Sequence, residues 1–303
     1  MSDASHADTV ATMTAFVISI EQARAIPWPT ATSHKHSRGR LAVICGGRLQ
    51  TGAARLAAVA GHRMGAGWVS LIASPEAATI LACHETERLI VERLPEQSLS
   101  SLCADFDAVV LGPAFGLTNG QAEDVLDMVQ GFPKPLVLDA DALTLIAQSG
   151  RDGALWQAVR ARSAPTILTP HSGEFTRLAE SFDPKKKGEA SLTLAQDLQA
   201  NVVHKGAETW VAAPDGRLAS SDFATPFCAS AGTGDVLAGL IGGLLAQSMP
   251  AFEAACAAVW IHATAANRVG PGLIAGDLIA ALPAVLNDLA PTPLQSASRP
   301  ASP

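Results

Sequence analysis

The stretch Ala108-Val109-Val110-Leu111-Gly112-Pro113-Ala114-Phe115-Gly116 decides how the rest of the chain is read. Four apolar residues run without polar alternation, as in a strand covered on both faces, and a Gly/Pro loop stops them. A helical pattern follows over Gly120–Gln130, then a second apolar run, Leu136-Val137-Leu138, that ends in Asp139. Strand, loop, helix, strand is the repeating unit of a parallel sheet.

Outward from this unit the pattern recurs. Strands are predicted at Leu41–Cys45, Trp68–Ala73, Thr166–Leu168, Asn201–His204 and Thr209–Ala213. Helices are predicted at Ala53–Gly65, Ala154–Arg162 and Phe175–Glu180. Pro214-Asp215-Gly216 reads as a turn that closes a short hairpin with Arg217–Ser220. The last third is helical: Thr233–Gln247, Ala251–Asn267 and Asp277–Leu289, with Asp277 as the expected N-cap. The expected architecture is α/β, a mostly parallel sheet with helices on both faces, in one domain over residues 14–290. Residues 1–13 and 291–303 lack apolar periodicity and read as disordered tails.

Bulk composition is consistent with this. Of 303 residues, 48% are hydrophobic and 16% charged, which supplies a large core. A net charge of −7 gives no electrostatic case for nucleic acid or an anionic membrane. No signal peptide and no membrane-spanning run is legible. Cys45, Cys83, Cys103, Cys228 and Cys256 are scattered, without a C-x-x-C pair. Free thiols and a cytoplasmic location are the expectation.

In such sheets ligands sit beyond the carboxyl ends of the strands, so the loops there are the candidates. The foremost is Ala231-Gly232-Thr233-Gly234-Asp235-Val236-Leu237-Ala238-Gly239. Gly232 and Gly234 let backbone approach a ligand, and the free amides of a helix start favour an anion. Asp235 stands in the first turn. Either it steadies the helix, or it is a base aimed at a substrate hydroxyl beside an amide pocket for a transferring phosphoryl group. In Leu168-Thr169-Pro170-His171-Ser172-Gly173-Glu174, His171 is a substrate contact and Glu174 positions a magnesium-bound water, or Ser172 and Glu174 simply cap a helix. In Leu138-Asp139-Ala140-Asp141, an extended backbone would aim both carboxylates one way, whereas a helix start would use one as a cap. His204-Lys205-Gly206-Ala207-Glu208-Thr209 offers a cation and amides to a nucleotide, or is a plain turn. Gly46-Gly47-Arg48-Leu49-Gln50-Thr51-Gly52-Ala53 and the Gly112–Gly116 loop are either close backbone approaches or packing turns.

Taken in order, these motifs resemble the ADP/ATP-dependent NAD(P)H-hydrate dehydratases of the ribokinase-like superfamily, from about His34 to Leu289. Gly65-Ala66-Gly67, Leu245-Ala246-Gln247, His262 and Ala275-Gly276-Asp277-Leu278 extend the match. The resemblance implies a ribokinase-like fold and a phosphorylation-driven elimination that restores NADH or NADPH from the S epimer of its hydrate. It implies Asp235, with Gly232 and Gly234, at the reacting centre. Ala53, Gly112, Gly116, His171 and Asp235 would line the hydrate site, and Lys205, Gly206, Ala207, Glu208, Thr209 and Gly234 the ADP or ATP site. Mg2+, a homotetramer and a separate epimerase are also implied. The sequence departs from the family pattern at Ala114 (usually Gly), Ser172 (usually Pro), Ala224-Thr225-Pro226-Phe227 (usually Gly-Asn-Pro-Gly) and Ala263 (usually Gly). Two other readings stand beside it: a kinase of a small thiazole or pyrimidine alcohol, and a non-catalytic nucleotide-binding protein.

Overall fold

The computed structural model describes residues 15–179 and 183–291; both proposed tails, Pro291 apart, lie outside these. The predicted runs form the middle of one ten-stranded sheet. Its strands are β1 (Ala15–Val17), β2 (Arg40–Ile44), β3 (Trp68–Ala73), β4 (Leu89–Glu92), β5 (Ala108–Leu111), β6 (Leu136–Leu138), β7 (Thr166–Leu168), β8 (Asn201–His204), β9 (Thr209–Ala212) and β10 (Leu218–Ser221). The spatial order is β1-β10-β9-β8-β7-β6-β5-β2-β3-β4. From β4 to β8 every neighbour is parallel; β9 and β10 then return antiparallel. The Pro214-Asp215-Gly216 turn closes β9 onto β10 as expected, with Gly216 at a positive φ of 99°.

Twelve α-helices are described: α1 (Ile20–Arg24), α2 (Thr51–Arg63), α3 (Pro75–Ala82), α4 (Leu99–Leu102), α5 (Asn119–Gly131), α6 (Ala140–Ser149), α7 (Ala154–Ala161), α8 (Ser172–Ala179), α9 (Lys187–Leu198), α10 (Thr233–Ala246), α11 (Ala251–Val269) and α12 (Ala275–Leu289). They divide between the two faces. Leu41, Val43 and Val110 point into a core with α2, α10, α11 and α12, while Ala42, Val109 and Leu138 point into another with α5, α6, α7 and α9. Strands buried on both faces must be apolar at every position, which is why their runs do not alternate.

The tightest helix contact is α2 on α10. A Cβ on Gly239 would stand 2.1 Å from the Ala57 carbonyl oxygen, and one on Gly243 would stand 2.6 Å from that of Gly61. The two backbones come this close because α10 has glycine at both positions, facing only Ala57 and Gly61 of α2.

Two predicted caps are corrected. Helix α12 begins at Ala275, so Asp277 lies inside its first turn, where its carboxylate accepts from the Ile274 amide at 3.0 Å. Helix α8 begins at Ser172, so His171, not Ser172, takes the capping place. The extended reading of Asp139 to Asp141 is also overturned. Ala140 adopts φ 47°, which turns the chain straight into α6 and sends the two carboxylates to different partners.

Candidate active site

Helix α10 opens on Gly232, whose φ of 90° a side chain would resist. A Cβ there would also crowd Leu56 at 2.8 Å and Ala275 at 2.9 Å. Thr233 ties the loop down, its hydroxyl donating to the carbonyls of Cys228 (2.8 Å) and Ser230 (2.9 Å). No described residue accepts a hydrogen bond from the amides of Gly234 or Asp235. These free N–H groups sit at the positive end of a 14-residue helix, an arrangement suited to an anion.

Behind the loop, His262 on α11 presents Nε2 to the Thr233 carbonyl at 2.9 Å. Burial pushes this imidazole down to about 4, so it is neutral and carries its proton on Nε2. The sequence marked His262 only as part of the resemblance; its role in holding the anion loop is visible only in three dimensions.

Asp235 is half-buried and faces a small charge cluster. Burial pushes its carboxyl up to about 6; Asp139 and Glu174 add to this, and Lys205 opposes it. Lys205, after β8, donates to Asp139 Oδ1, after β6, at 2.8 Å, joining segments 66 residues apart. The Asp139 side chain is only 2% exposed. Burial works against the Lys205 charge, but Asp139, Glu174 and Asp235 together hold the ammonium above its ordinary value. That ammonium would lie 3.3 Å from a Cβ on Gly234, so cation, free amides and base share one spot.

The His171–Glu174 turn is a reciprocal cap. Glu174 Oε2 accepts from the His171 amide at 2.8 Å, while His171 Nδ1 accepts from the amides of Gly173 (2.9 Å) and Glu174 (3.3 Å). A bridge from His171 to Lys205 places this turn beside the 204–209 loop. Lys187 Nζ fastens that loop by donating to the carbonyls of Lys205 (3.1 Å) and Glu208 (2.5 Å). Nothing in the sequence near Lys187 signalled this.

Over Lys205 lies a cavity of about 700 Å3. Its walls include His171, Gly206, Ala207, Thr209, Gly234 and His262, with Thr225, Pro226 and Cys228 of the departing loop opposite. Glu208 is absent from that wall. Gly112 is a packing glycine: it is buried at φ 126°, and a Cβ would stand 1.8 Å from the Asp139 carbonyl oxygen. Gly116 donates its amide to Asp141 at 2.8 Å. Ala53 lies in the first turn of α2, one helical turn before the Leu56 that packs under Gly232.

Ala114 is a consequence of the departure from Gly. It holds φ 49°, a region a Cβ disfavours by about 1–2 kcal/mol, and its carbonyl abuts Gly46. Ala114→Gly should therefore stabilise the protein by a net 0.5–1 kcal/mol, roughly, after the added chain entropy of glycine. Urea unfolding midpoints would show it, and an unchanged or lower midpoint would contradict it.

Comparison with known proteins gives this geometry a lineage. The NAD(P)H-hydrate dehydratase family profile matches residues 41–280. An ADP-dependent (S)-NAD(P)H-hydrate dehydratase of Xanthomonas campestris is 34% identical over 288 residues, covering 88% of this chain and 94% of its own. The chain spans about half the length of the bifunctional NAD(P)H-hydrate repair enzymes it also matches, 46% in the case of Gloeobacter violaceus at 39% identity. The Bacillus subtilis ADP/ATP-dependent NAD(P)H-hydrate dehydratase, co-crystallised with ATP and Mg2+, superposes with TM-score 0.79 at 27% identity, over 92% of this chain and all of that one. A ribokinase-like superfamily protein of Enterococcus faecalis superposes as well, at TM-score 0.79 and 23% identity over 91% of this chain and 96% of its own, which shows the fold. The ten-stranded sheet is ribokinase-like, and the chain belongs to the NAD(P)H-hydrate dehydratase family.

Proposed function

We propose that the protein uses ADP or ATP to dehydrate the S epimer of NADH hydrate and NADPH hydrate, restoring the reduced dinucleotides. The observation that carries this is a half-buried carboxylate with a raised pKa beside unpaired helix-start amides and a fixed ammonium. Asp235 takes the proton from the ring hydroxyl. That oxygen attacks the terminal phosphorus of the nucleotide, and AMP (or ADP) departs. The carbon–oxygen bond then breaks with phosphate as leaving group, the adjacent carbon gives up a proton, and the ring double bond returns. The amides of Gly234 and Asp235, with Lys205, balance the charge that builds on the transferred group.

The cavity bounded by Lys205, Gly206, Ala207, Thr209 and Gly234 would take the nucleotide, with Glu208 set back from its wall. Ala53, Gly116, His171 and Asp235 would face the hydrate, with Gly112 shaping the loop from beneath. Among the described residues no cluster of three metal-ligating side chains exists. Magnesium would come with the nucleotide phosphates, Glu174 would reach it through water, and the ion would supply phosphate charge shielding. The reading also carries a cytoplasmic location and a homotetramer, for which exposed Leu89 on the edge strand β4 and Leu94 just beyond it offer apolar surface. No helix among the described residues is long and apolar enough to cross a membrane.

The test is direct. Purified protein is incubated with NADH hydrate, magnesium and either nucleotide, while absorbance and phosphate are followed. Recovered NADH with stoichiometric phosphate supports the reading; a stable phosphorylated product, or no change, defeats it.

The pH profile is a second check. Asp235 acts as a base only when ionised, so kcat/KM should rise with pH through about 6 and then level. Lys205 opposes the upward shift, so Lys205→Gln should move this limb to higher pH, by about one unit. A profile flat from pH 5 to 8, or a limb that moves down, would exclude Asp235 as the titrating base.

A further inference from the structure

The chain crosses the sheet in two directions. From β2 it steps through β3 to β4, and from β5 it steps the opposite way through β6, β7 and β8. Strands β2 and β5 are therefore neighbours whose following helices, α2 and α5, depart to opposite faces. Such a reversal leaves a crevice outside the carboxyl ends of the two strands, where ligands lodge in open α/β sheets.

A cleft of about 500 Å3 opens at this point. Gly46 and Gly47 form one side, Thr118 and Gln121 another, and Glu76 and Arg93 close it towards β3 and β4. It shares no residue with the cavity over Lys205. Gly116 borders it, since Phe115 and Thr118 are in its wall. Asp235 stands by the Asp139–Lys205 pair, which follows β6 and β8, and from these strands to β2 is two to four steps of about 4.8 Å, roughly 10–19 Å. A ligand reaching from Asp235 past Gly116 into this cleft must extend well beyond its nicotinamide ring.

We propose that the switch-point cleft receives the adenosine half of the hydrated dinucleotide, and that Glu76 makes it select a free ribose 2′-hydroxyl over a 2′-phosphate. The inference rests on the dehydratase reading and adds a preference for NADH hydrate over NADPH hydrate.

The charges argue for it. Three carboxylates line the cleft, Glu76, Glu123 and Asp124, against one guanidinium, Arg93. Arg93 is already committed: both terminal nitrogens donate to Asp124 at 2.6 Å, and Nε donates to the Gln97 carbonyl at 3.0 Å. Among the lining residues no cation is left for a phosphate dianion, and Arg48, the further cation that follows Gly47, already faces Glu76, so the dianion would meet Glu76 and Glu123. Glu76 is exposed in the first turn of α3. Its own amide and the Ser74 hydroxyl, with Arg48 nearby, hold its carboxyl below the usual range, so it is ionised at neutral pH. An ionised carboxylate accepts hydrogen bonds from a ribose diol and repels a second anion.

The experiment compares kcat/KM for NADH hydrate and NADPH hydrate in the wild type, Glu76→Gln and Glu76→Lys. The wild type should favour NADH hydrate by about tenfold or more, the ratio should shrink in Glu76→Gln, and it should approach or fall below one in Glu76→Lys. Hydrated reduced nicotinamide mononucleotide, which lacks the adenosine half, should be about tenfold poorer than NADH hydrate for the wild type. A wild-type ratio near one, a ratio unmoved by Glu76→Lys, or a mononucleotide turned over as well as the dinucleotide overturns the proposal while leaving the dehydratase reading intact. No turnover of any hydrate removes both.

Discussion

Asp235→Asn is expected to leave a folded protein whose nucleotide-dependent recovery of NADH absorbance falls by about 10^3-fold or more, near the upper range for losing a general base. The amide keeps the size of the carboxylate but cannot take a proton at neutral pH. The loss should lie in kcat, because the proposed nucleotide contacts, Lys205 and the free amides, are spared by the substitution. Stability separates this from damage to the fold. The carboxyl of Asp235 is raised in the folded state, so the native protein binds more protons than the unfolded chain between about pH 4 and 6. Stability from this group is present below the unfolded value and is lost as pH rises through about 6. At pH 8 the Asn variant should thus be at least as stable as wild type. Turnover within tenfold of wild type would remove Asp235 as the base, and a lowered melting temperature at pH 8 would mean that the carboxylate has a structural role instead.

Gly239→Val should cost about 3 kcal/mol or more, and the soluble yield should fall with it. Its Cβ alone would stand 2.1 Å from the Ala57 carbonyl oxygen, a backbone atom that cannot rotate away. Relief requires α2 and α10 to separate, which opens voids around Leu41 and Val110 beneath them. Denaturant unfolding measures the loss. A variant within 1 kcal/mol of wild type would show that the two helices slide apart freely, contrary to the packing described.

The middle of the sheet was legible because burial on both faces leaves only apolar runs, and β3, β5, β6, β7 and β8 lie at their predicted bounds. What burial does not imprint was missed. β1 is exposed at all three positions, and β4 is exposed at both ends. Helices α3 and α9 were likewise missed; α9 carries Ser and Thr between its leucines. At the site, the order of motifs named the loops, and the cavity over Lys205 brings His171, Gly206 and Gly234 together. Their chemistry depends on pairs the sequence cannot show. Lys205 and Asp139 stand 66 residues apart, and only the left-handed turn at Ala140 decides that Asp139 and Asp141 part company. The role of His262 is equally non-local, since its acceptor is a main-chain carbonyl 29 residues away.

The backbone contact between α2 and α10 has a consequence for how ligands come and go. Both helices open beside the proposed reaction centre, α2 at Thr51 and α10 at Thr233, and with nothing larger than the Ala57 methyl between them at the contact they form a single anvil. The opposite wall is a different material: residues 222–231 connect β10 to α10 with only the short 3-10 turn Pro226–Cys228, and they hold Phe223 and Phe227 out to solvent. Traffic through the doorway falls to that wall, so hydrogen exchange should be fast along it and slow across the anvil, with nucleotide slowing only the former.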